Sequence, residues 1–183
     1  DNSEVITFEL RQIGSLNPID NSFFNAANDE NTGTAGVQIT TDQDGFYELM
    51  KIPTGTYYLV AKADGYLSGK YPAFEVVPGD IKTGIDPTYD NDAVPNDLGE
   101  LKGGDVSSQD AVGVQDNVVD GDDINYFITN YGKSTAAYPD VAHADIDDNG
   151  SISFEDLSIA SANYGLTGIP PFLNRLSGGA NNS

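Results

Sequence analysis

Apolar and polar residues alternate along short segments between residues 36 and 79, and Gly or Pro separates the segments. In residues 57–63 one face collects Tyr57, Leu59, Ala61 and Ala63. A period of two is typical of β-strands that have one buried face. A further strand over residues 5–13 would complete two packed sheets. The front half is therefore predicted to be an all-β sandwich.

The pattern changes after residue 100, where apolar residues recur at helical spacing in two segments. Each segment gives one stripe at i, i+3, i+4 and i+7, as expected for a helix with one buried face. The predicted core stripes are Ile124, Phe127, Ile128 and Tyr131 in the first helix and Leu157, Ala160, Ser161 and Tyr164 in the second. Tyr126 and Ile159 lie off these stripes. They are predicted to pack elsewhere in the protein or to form a protein interface.

Oxygen-bearing residues recur at alternate positions of the twelve-residue segment that leads into the second helix. Positions 1, 3, 5, 7, 9 and 12 are Asp145, Asp147, Asn149, Ser151, Ser153 and Asp156, and Gly150 stands at position 6. This is the ligand spacing of an EF-hand loop, which binds calcium through six to eight oxygens and needs a sharp turn at position 6. The alternative is an Asp-rich surface turn, because Asp, Asn and Gly also favour turns.

A second copy of this loop and helix lies upstream. A shift of 33 residues superposes Tyr131-Gly132 on Tyr164-Gly165, and a shift of 40 superposes Asp105 on Asp145, so the first loop holds seven extra residues between its positions 1 and 5. Its predicted ligands are Asp105, Asp116, the Val118 carbonyl, Asp120 and Asp123, with Ser107 and Asp110 as alternatives. We expect two calcium ions. Because the insertion must bulge outward without spreading the ligands, weak binding or no binding is the alternative at the first site.

Neither loop follows an obvious amphipathic helix, and each exiting helix ends in Asn-Tyr-Gly. Together with the duplication and with Asp at position 12, this resembles a dockerin over about residues 100–170. The departures are the insertion and Asn117, where Gly is usual. The resemblance implies a cohesin domain as partner, bound by a helix face and by loop positions 10 and 11. The implied contact residues are Gly121, Asp122, Tyr126, Phe154, Glu155 and Ile159.

The front half carries a second resemblance. Its motifs are Thr41-Asp42-Gln43-Asp44-Gly45-Phe46-Tyr47, Ile52-Pro53-Thr54-Gly55-Thr56-Tyr57 and Asp64-Gly65-Tyr66. They are similar to the carboxypeptidase regulatory-like, transthyretin-like domain, which is an immunoglobulin-like sandwich. Such a domain directly before a dockerin looks like the X module of an X-module and dockerin pair. We therefore predict a β-sandwich domain over residues 1–98, a small all-α dockerin over 99–183, and an intramolecular contact between them.

The net charge of −21, from 29 acidic and 8 basic residues, argues against nucleic acid and anionic membranes as partners. No membrane insertion is expected. The chain has no cysteine, so no disulfide marks its compartment. Calcium loops of this kind suit an environment where calcium is plentiful, which favours an extracellular location.

No pattern of catalytic residues stands out. His143 is the single histidine and has no nucleophile in its motif. We therefore predict a non-enzyme, a calcium-dependent module that binds a cohesin and anchors its parent protein in an extracellular polysaccharide-degrading assembly. A carbohydrate-binding module with structural calcium is the first alternative, with Tyr58 and Tyr66 as candidates to stack on a sugar. A calcium sensor or buffer is the second.

Overall fold

The chain forms two compact units in a computed structural model that describes residues 5–15, 17–19, 25–26, 37–42, 46–83, 85 and 101–169. The first unit comprises residues 1–63 and 68–101, and the second comprises residues 64–67 and 102–183. The predicted boundary after residue 98 and the turn residues Gln43, Asp44 and Gly45 lie outside the described residues. The short segment 64–67 belongs to the second unit, which the sequence did not indicate.

The first unit is an antiparallel, sandwich-like β domain, as predicted. Its strands are β1 (Val5–Gln12), β2 (Asn25–Ala26), β3 (Val37–Thr40), β4 (Leu49–Met50), β5 (Gly55–Ala63) and β6 (Gly69–Val76). A four-stranded sheet has the order β3-β1-β5-β6, and β2 pairs with β4 in a second, two-stranded sheet. The predicted first strand, 5–13, therefore agrees with β1 to within one residue.

The alternating residues form the core of this unit. Phe8 lies opposite Val37 on one side and Ala61 on the other, and Leu10 lies opposite Leu59. Because side chains alternate between the two faces of a strand, this register gathers the apolar side chains on one face of the sheet. The buried cluster is Phe8, Leu10, Val37, Ile39, Tyr57, Leu59 and Ala61.

The other face of β1 holds a buried ion pair that hydrophobic patterning does not reveal. Glu9 Oε2 accepts hydrogen bonds from Arg11 Nε at 2.9 Å and from Arg11 Nη2 at 2.6 Å. Both side chains are almost fully buried. Removing one member of a buried ion pair is costly, because the other charge then loses an interaction that offsets its desolvation.

The second unit contains two α-helices, α1 (Gly121–Asn130) and α2 (Phe154–Ala162), and a 3₁₀ helix over Pro139–Ala144. No α-helix precedes either loop within residues 101–120 and 131–153, although the six-residue 3₁₀ helix runs directly into the second loop. No helix in the described part of the chain is long and apolar enough to span a membrane. The buried apolar cluster is Val106, Tyr126, Phe127, Val141, Ala144, Ile146, Ile152 and Ala160.

The predicted core stripe of α1 is confirmed for Phe127, which is buried, and for Ile124, which packs against the core, but it is wrong for Ile128 and Tyr131. The buried positions are Asp123, Tyr126, Phe127 and Asn130, whereas Ile128 and Tyr131 are about 60 % exposed. Asp123 must face inward because its carboxylate accepts three backbone hydrogen bonds. Asn130 also faces inward and donates to Tyr126 O at 2.9 Å. These polar contacts rotate the helix by one position from the orientation that hydrophobicity alone predicts.

The same correction applies to α2. Asp156 and Ala160 are its buried residues, Ile159 packs against the core cluster, and Ser161 and Tyr164 are exposed. Asn163 Nδ2 donates to Gly103 O at 2.8 Å. The inward set of α2 is therefore the inward set of α1 shifted by 33 residues, so the repeat is structural as well as sequential.

Candidate metal centre

Three carboxylates of the second loop converge. Asp145, Asp147 and Asp156 each place an oxygen within 4.8 Å of the others. Calcium–oxygen distances of about 2.3–2.6 Å separate opposite ligands by about 4.6–5.2 Å, so these oxygens lie within one coordination sphere. Among the described residues, no other group of three His, Cys, Asp or Glu side chains lies as close together.

Backbone N–H groups hold Asp145, at position 1 of this loop, in place. Asp145 Oδ1 accepts from Asn149 N at 3.0 Å and Oδ2 accepts from Gly150 N at 2.8 Å. Gly150 has φ +90°, in the left-handed region that favours glycine. The loop thus closes around the Asp145 carboxylate, as predicted from the turn at position 6.

Asp156, at position 12 of this loop, takes part in the start of α2. Ser153 is the N-cap and Asp156 is the N3 residue of a capping box. Asp156 Oδ1 accepts from Ile146 N at 2.7 Å, and Oδ2 accepts from Ser153 N at 2.7 Å. The Ser153 hydroxyl also donates to Oδ2 at 2.8 Å. Its hydrogen can rotate to point away from a cation, which leaves the hydroxyl oxygen free to face the ion. Positions 9 and 12 of the loop are therefore fixed by the helix that follows.

The oxygen donors around this cluster suit calcium. Asn149 Oδ1 accepts from Ser151 N at 3.1 Å and from the Ser151 hydroxyl at 2.8 Å, whereas Asn149 Nδ2 donates to Asp147 Oδ2 at 2.8 Å. Rotation of the Asn149 amide would turn Oδ1 toward Asp147, and the other predicted donors are the Ser151 carbonyl and the Ser153 hydroxyl. A set of carboxylate, amide, hydroxyl and carbonyl oxygens with no His or Cys fits a hard cation. The residue types of the second loop therefore fit a calcium ion.

The first loop repeats the same hydrogen-bond frame. Asp105 Oδ1 accepts from Asp116 N and Oδ2 accepts from Asn117 N, both at 3.0 Å. Asp123 Oδ1 accepts from Val106 N at 2.7 Å, and Oδ2 accepts from Asp120 N at 2.7 Å. Asn117 has φ +68°, so it takes the conformation of Gly150, which Asn tolerates better than most residues. Positions 1, 5, 7, 9 and 12 of the first loop are therefore occupied by Asp105, Asp116, Val118, Asp120 and Asp123.

Ser107 stands at position 3 of the first loop. Its N–H donates to Asp123 Oδ1 at 2.8 Å, as the Asp147 N–H donates to Asp156 Oδ1 at 3.2 Å. From its residue type Ser107 is predicted only as an alternative ligand, although the shift of 40 residues superposes it on Asp147. The other alternative, Asp110, is exposed within the insertion.

The insertion lies between positions 3 and 5 and leaves the frame closed. It folds on itself through Val114 N to Ala111 O at 3.1 Å and returns to Ser107, whose Oγ accepts from Gly113 N at 3.1 Å. The first loop nevertheless does not bring three carboxylates as close as the second does, among the described residues. Ser replaces Asp at position 3, but Asp116 and Asp120 stand where the second loop has Asn149 and Ser153, so the predicted ligands of the first loop include four carboxylates against three in the second.

Burial raises the pKa of several loop carboxyl groups. The pKa of Asp123 rises to about 7, because desolvation outweighs the backbone hydrogen bonds from Asp120, Val106 and Ser107. Desolvation also raises the pKa values of Asp116 and Asp145 above 3.8, and the charges of Asp156 and Asp147 add to the rise at Asp145. A bound cation would stabilise the charged forms of these groups.

The predicted partner-binding residues divide into two groups. Gly121, Phe154 and Glu155 are exposed and Asp122 is partly exposed. Tyr126, predicted to be available to a partner, is instead 8 % exposed and packs in the core, where its ring lies 5.3 Å from that of His143. Ile159 is partly buried against the same core. The rotation of both helices accounts for this correction.

The predicted sugar-stacking residues are engaged in the fold. The Tyr58 hydroxyl donates to Ser15 O at 2.7 Å, and Lys70 Nζ lies 5.4 Å from the centre of its ring. The Tyr66 hydroxyl donates to Ile146 O at 2.9 Å. Both side chains are partly buried, which disfavours them as open platforms for a sugar ring.

Comparison with known proteins gives one match by sequence family. Residues 17–88 match the carboxypeptidase regulatory-like domain. This range covers most of the first unit and agrees with the motifs of the front half. No curated protein sequence matches the chain.

Two solved structures resemble the chain in fold. Both are chains of a type II cohesin–X-dockerin complex from Acetivibrio cellulolyticus, one a C-terminal and the other an N-terminal interface mutant. They are each 19 % identical, with TM-scores of 0.54 and 0.53. Each match covers 87 % of this chain and 81 % of the other. The regulatory-like domain and the modules of this complex are non-catalytic module types.

Proposed function

We propose that residues 102–169 form a dockerin that binds two calcium ions and, in its calcium-bound form, docks onto a cohesin domain. The first unit then acts as the adjoining X module. Together they anchor a parent protein in an extracellular polysaccharide-degrading assembly. The chain itself carries no catalytic role in this proposal.

The main support for this proposal is that the two loops share the same hydrogen-bond frame. In each loop an Asp at position 1 accepts from the N–H groups of positions 5 and 6, and an Asp at position 12 accepts from those of positions 2, 3 and 9. If the two segments were only Asp-rich surface turns, there would be no reason for the same hydrogen-bond pattern to occur in both. The fold likeness to a chain of a cohesin–X-dockerin complex over 87 % of this chain supports the same proposal.

Calcium would link folding to docking. In the second loop three negative charges lie within one small sphere, and their repulsion opposes the closed loop. The attraction of a divalent cation for each carboxylate outweighs that repulsion, so metal-binding free energy contributes to folding free energy. Because Ser153 and Asp156 also cap α2, closing the loop fixes the start of the helix. The helices then present a preorganised surface, which lowers the entropic cost of association.

The surface offered to the cohesin lies on the exposed sides of the two helices. Phe154 is 64 % exposed at the start of α2, next to the exposed Glu155. Gly121 and Asp122 hold the related places in the first repeat. Ile128 and Tyr131 add apolar area on α1, since the helix rotation turns them outward. Apolar anchors with polar surroundings are the groups that dominate binding energy at protein interfaces.

The proposal is tested by cohesin binding with and without calcium. The chain is passed over immobilised cohesin domains of several classes, and we expect capture by at least one class that is reversed by a chelator. The variant with both Asp145→Ala and Asp156→Ala should lose this capture. Asp148→Asn is the matched control, because it removes an exposed charge from the same loop at a position that is not a ligand. A chain that binds calcium but no cohesin of any class would refute the docking part of the proposal.

A further inference from the structure

One peptide group in the second loop connects a distant side chain to the last carboxylate. The Ile146 carbonyl accepts a hydrogen bond from the Tyr66 hydroxyl at 2.9 Å. The N–H of the same peptide group, on Asp147, donates to Asp156 Oδ1 at 3.2 Å. Tyr66 is 80 residues from Ile146 in the chain, but both belong to the second unit.

The first loop contains the equivalent arrangement with a different donor. The Val106 carbonyl lies 3.2 Å from His143 Nε2, and the N–H of that peptide, on Ser107, donates to Asp123 Oδ1 at 2.8 Å. Because a carbonyl oxygen only accepts hydrogen bonds, Nε2 carries the proton in this contact. Val106 and Ile146 are both at position 2 of their loops.

We propose that Tyr66 and His143 are positioning residues for the two calcium sites, each orienting the peptide group that holds the position-12 carboxylate of one loop. This inference rests on the proposed calcium binding and adds two residues that lie outside both loops. Neither residue touches the metal. Each acts through the peptide group and the carboxylate beyond it.

Two physical effects support this role. Hydrogen bonds in a chain polarise one another, so a donor on the carbonyl strengthens the bond from the N–H of the same peptide to the carboxylate. Partners that orient metal ligands from outside the coordination sphere also affect affinity, because they fix the direction of the ligand oxygens. Rotation of this peptide would remove one of the N–H groups that hold the carboxylate oxygen.

The backbone around Tyr66 is fixed tightly enough for such a role. Gly104 N donates to Gly65 O and Leu67 N donates to Lys102 O, both at 2.8 Å. A Cβ atom at Gly65 would lie 2.2 Å from His143 O, so only glycine permits this approach. Segment 64–67 therefore holds the Tyr66 hydroxyl at a set place in the second unit.

The experiment measures calcium affinity separately for each loop in the full chain. Asp105→Asn disables the first loop and leaves the second, and Asp145→Asn does the reverse. In the first background, Tyr66→Phe should weaken calcium binding on the order of 10-fold. In the second background the same change should have no effect. His143→Leu should show the opposite pattern, and His143→Gln, which keeps a donor near Nε2, should restore affinity at the first loop.

Tyr58→Phe is the matched control, because it removes a hydroxyl that bonds to Ser15 O in the first unit. A further readout separates positioning from general stability. The amide proton of Asp147 should move in the NMR spectrum of Tyr66→Phe, whereas that of Ser107 should not. If Tyr66→Phe and His143→Leu leave the calcium affinity of both loops unchanged, the positioning role is wrong, whereas the proposed calcium binding still stands. If the parent chain binds no calcium, the proposed function fails and the inference fails with it.

Discussion

Asp123 and Asp156 each take part in two structures at once. Each is the last residue of a twelve-position ligand frame and the N3 residue of a helix capping box. A carboxylate at N3 satisfies N–H groups that a helix start leaves unpaired and favours the positive end of the helix dipole. Loop closure and helix initiation therefore depend on the same side chain.

Replacing Asp156 by Asn should weaken calcium binding at the second loop and delay helix formation in a calcium titration. The change keeps the size of the side chain but removes a charged ligand and exchanges an acceptor for a donor that faces two N–H groups. Circular dichroism against calcium concentration measures the effect. Asp148→Asn, at an exposed position of the same loop, should leave the curve unchanged, and equal curves for both variants would contradict the role given to Asp156.

The pH dependence of the metal-free protein follows from Asp123. Its pKa in the folded protein is about 7, above its ordinary 3.8, so the folded form binds this proton more tightly than the unfolded form. The resulting contribution to stability is fully present below pH 4 and is lost as the pH rises through 7. We expect the melting temperature in chelator to fall between pH 5 and pH 8.

Saturating calcium should abolish or reverse this dependence, because the cation takes the place of the proton. Calorimetric melting at several pH values, with calcium and with chelator, measures both slopes. Identical slopes in the two conditions would contradict the assignment of Asp123 to a metal loop.

At the scale of single residues, the sequence was sufficient to predict that the carboxylates of the second loop converge, because their spacing in the chain is uninterrupted. The second loop could be read directly, since its carboxylates lie close enough to share one ion. The place of Ser107 at position 3 was harder to predict, because the insertion follows it and its hydrogen bond to Asp123 is visible only in the structure. Tyr66 and His143 could not be found, because their contacts join residues far apart in the chain.

The orientation of α1 shows how polar residues can override hydrophobic patterning. The buried side of α1 includes the polar residues Asp123 and Asn130. The most apolar stripe in the sequence is a different one, formed by Ile124, Phe127, Ile128 and Tyr131. Unpaired backbone groups in the interior cost more than the exposure of one Ile. Hydropathy alone therefore predicted that a helix exists but placed its buried face one residue too far along.

This orientation is testable by truncating neighbouring side chains. Phe127→Ala should lower the free energy of unfolding by about 3–5 kcal/mol, because Phe127 is fully buried in the core. Ile128→Ala should change it by less than about 0.5 kcal/mol, because the side chain is mostly exposed. Chemical denaturation of the calcium-saturated variants gives both values. A large cost for Ile128→Ala would restore the stripe predicted from the sequence.

The insertion in the first loop is expected to be dispensable for calcium binding. Deleting residues 109–115 makes the first loop as long as the second, with Ser108 at the place of Asp148. Asp148 has φ +53°, so Ser108→Asn is added because Asn tolerates that conformation. The shortened chain should still bind calcium at the first loop in an Asp145→Asn background. Loss of that binding, with helix content retained, would mean that the insertion supplies a ligand.

At the scale of the whole molecule, alternation and helical periodicity gave the two fold types, and the match over residues 17–88 agrees with the first. Two features needed tertiary structure. Segment 64–67 belongs to the second unit although the strands on either side of it belong to the first. The buried Glu9–Arg11 pair reads as ordinary exposed polarity in an alternating strand. Both depend on what packs against a residue, which local pattern does not encode.

Calcium binding and helix formation are measured together by a calorimetric titration of the metal-free chain with calcium, with circular dichroism recorded on the same samples. We expect two binding events, the tighter at the second loop with its three clustered carboxylates, and a gain of helix as the sites fill. Asp145→Asn should remove the tighter event and leave the other. Absence of calcium binding, or binding without any gain of helix, would contradict the claim that calcium closes two loops and fixes the helices that follow them.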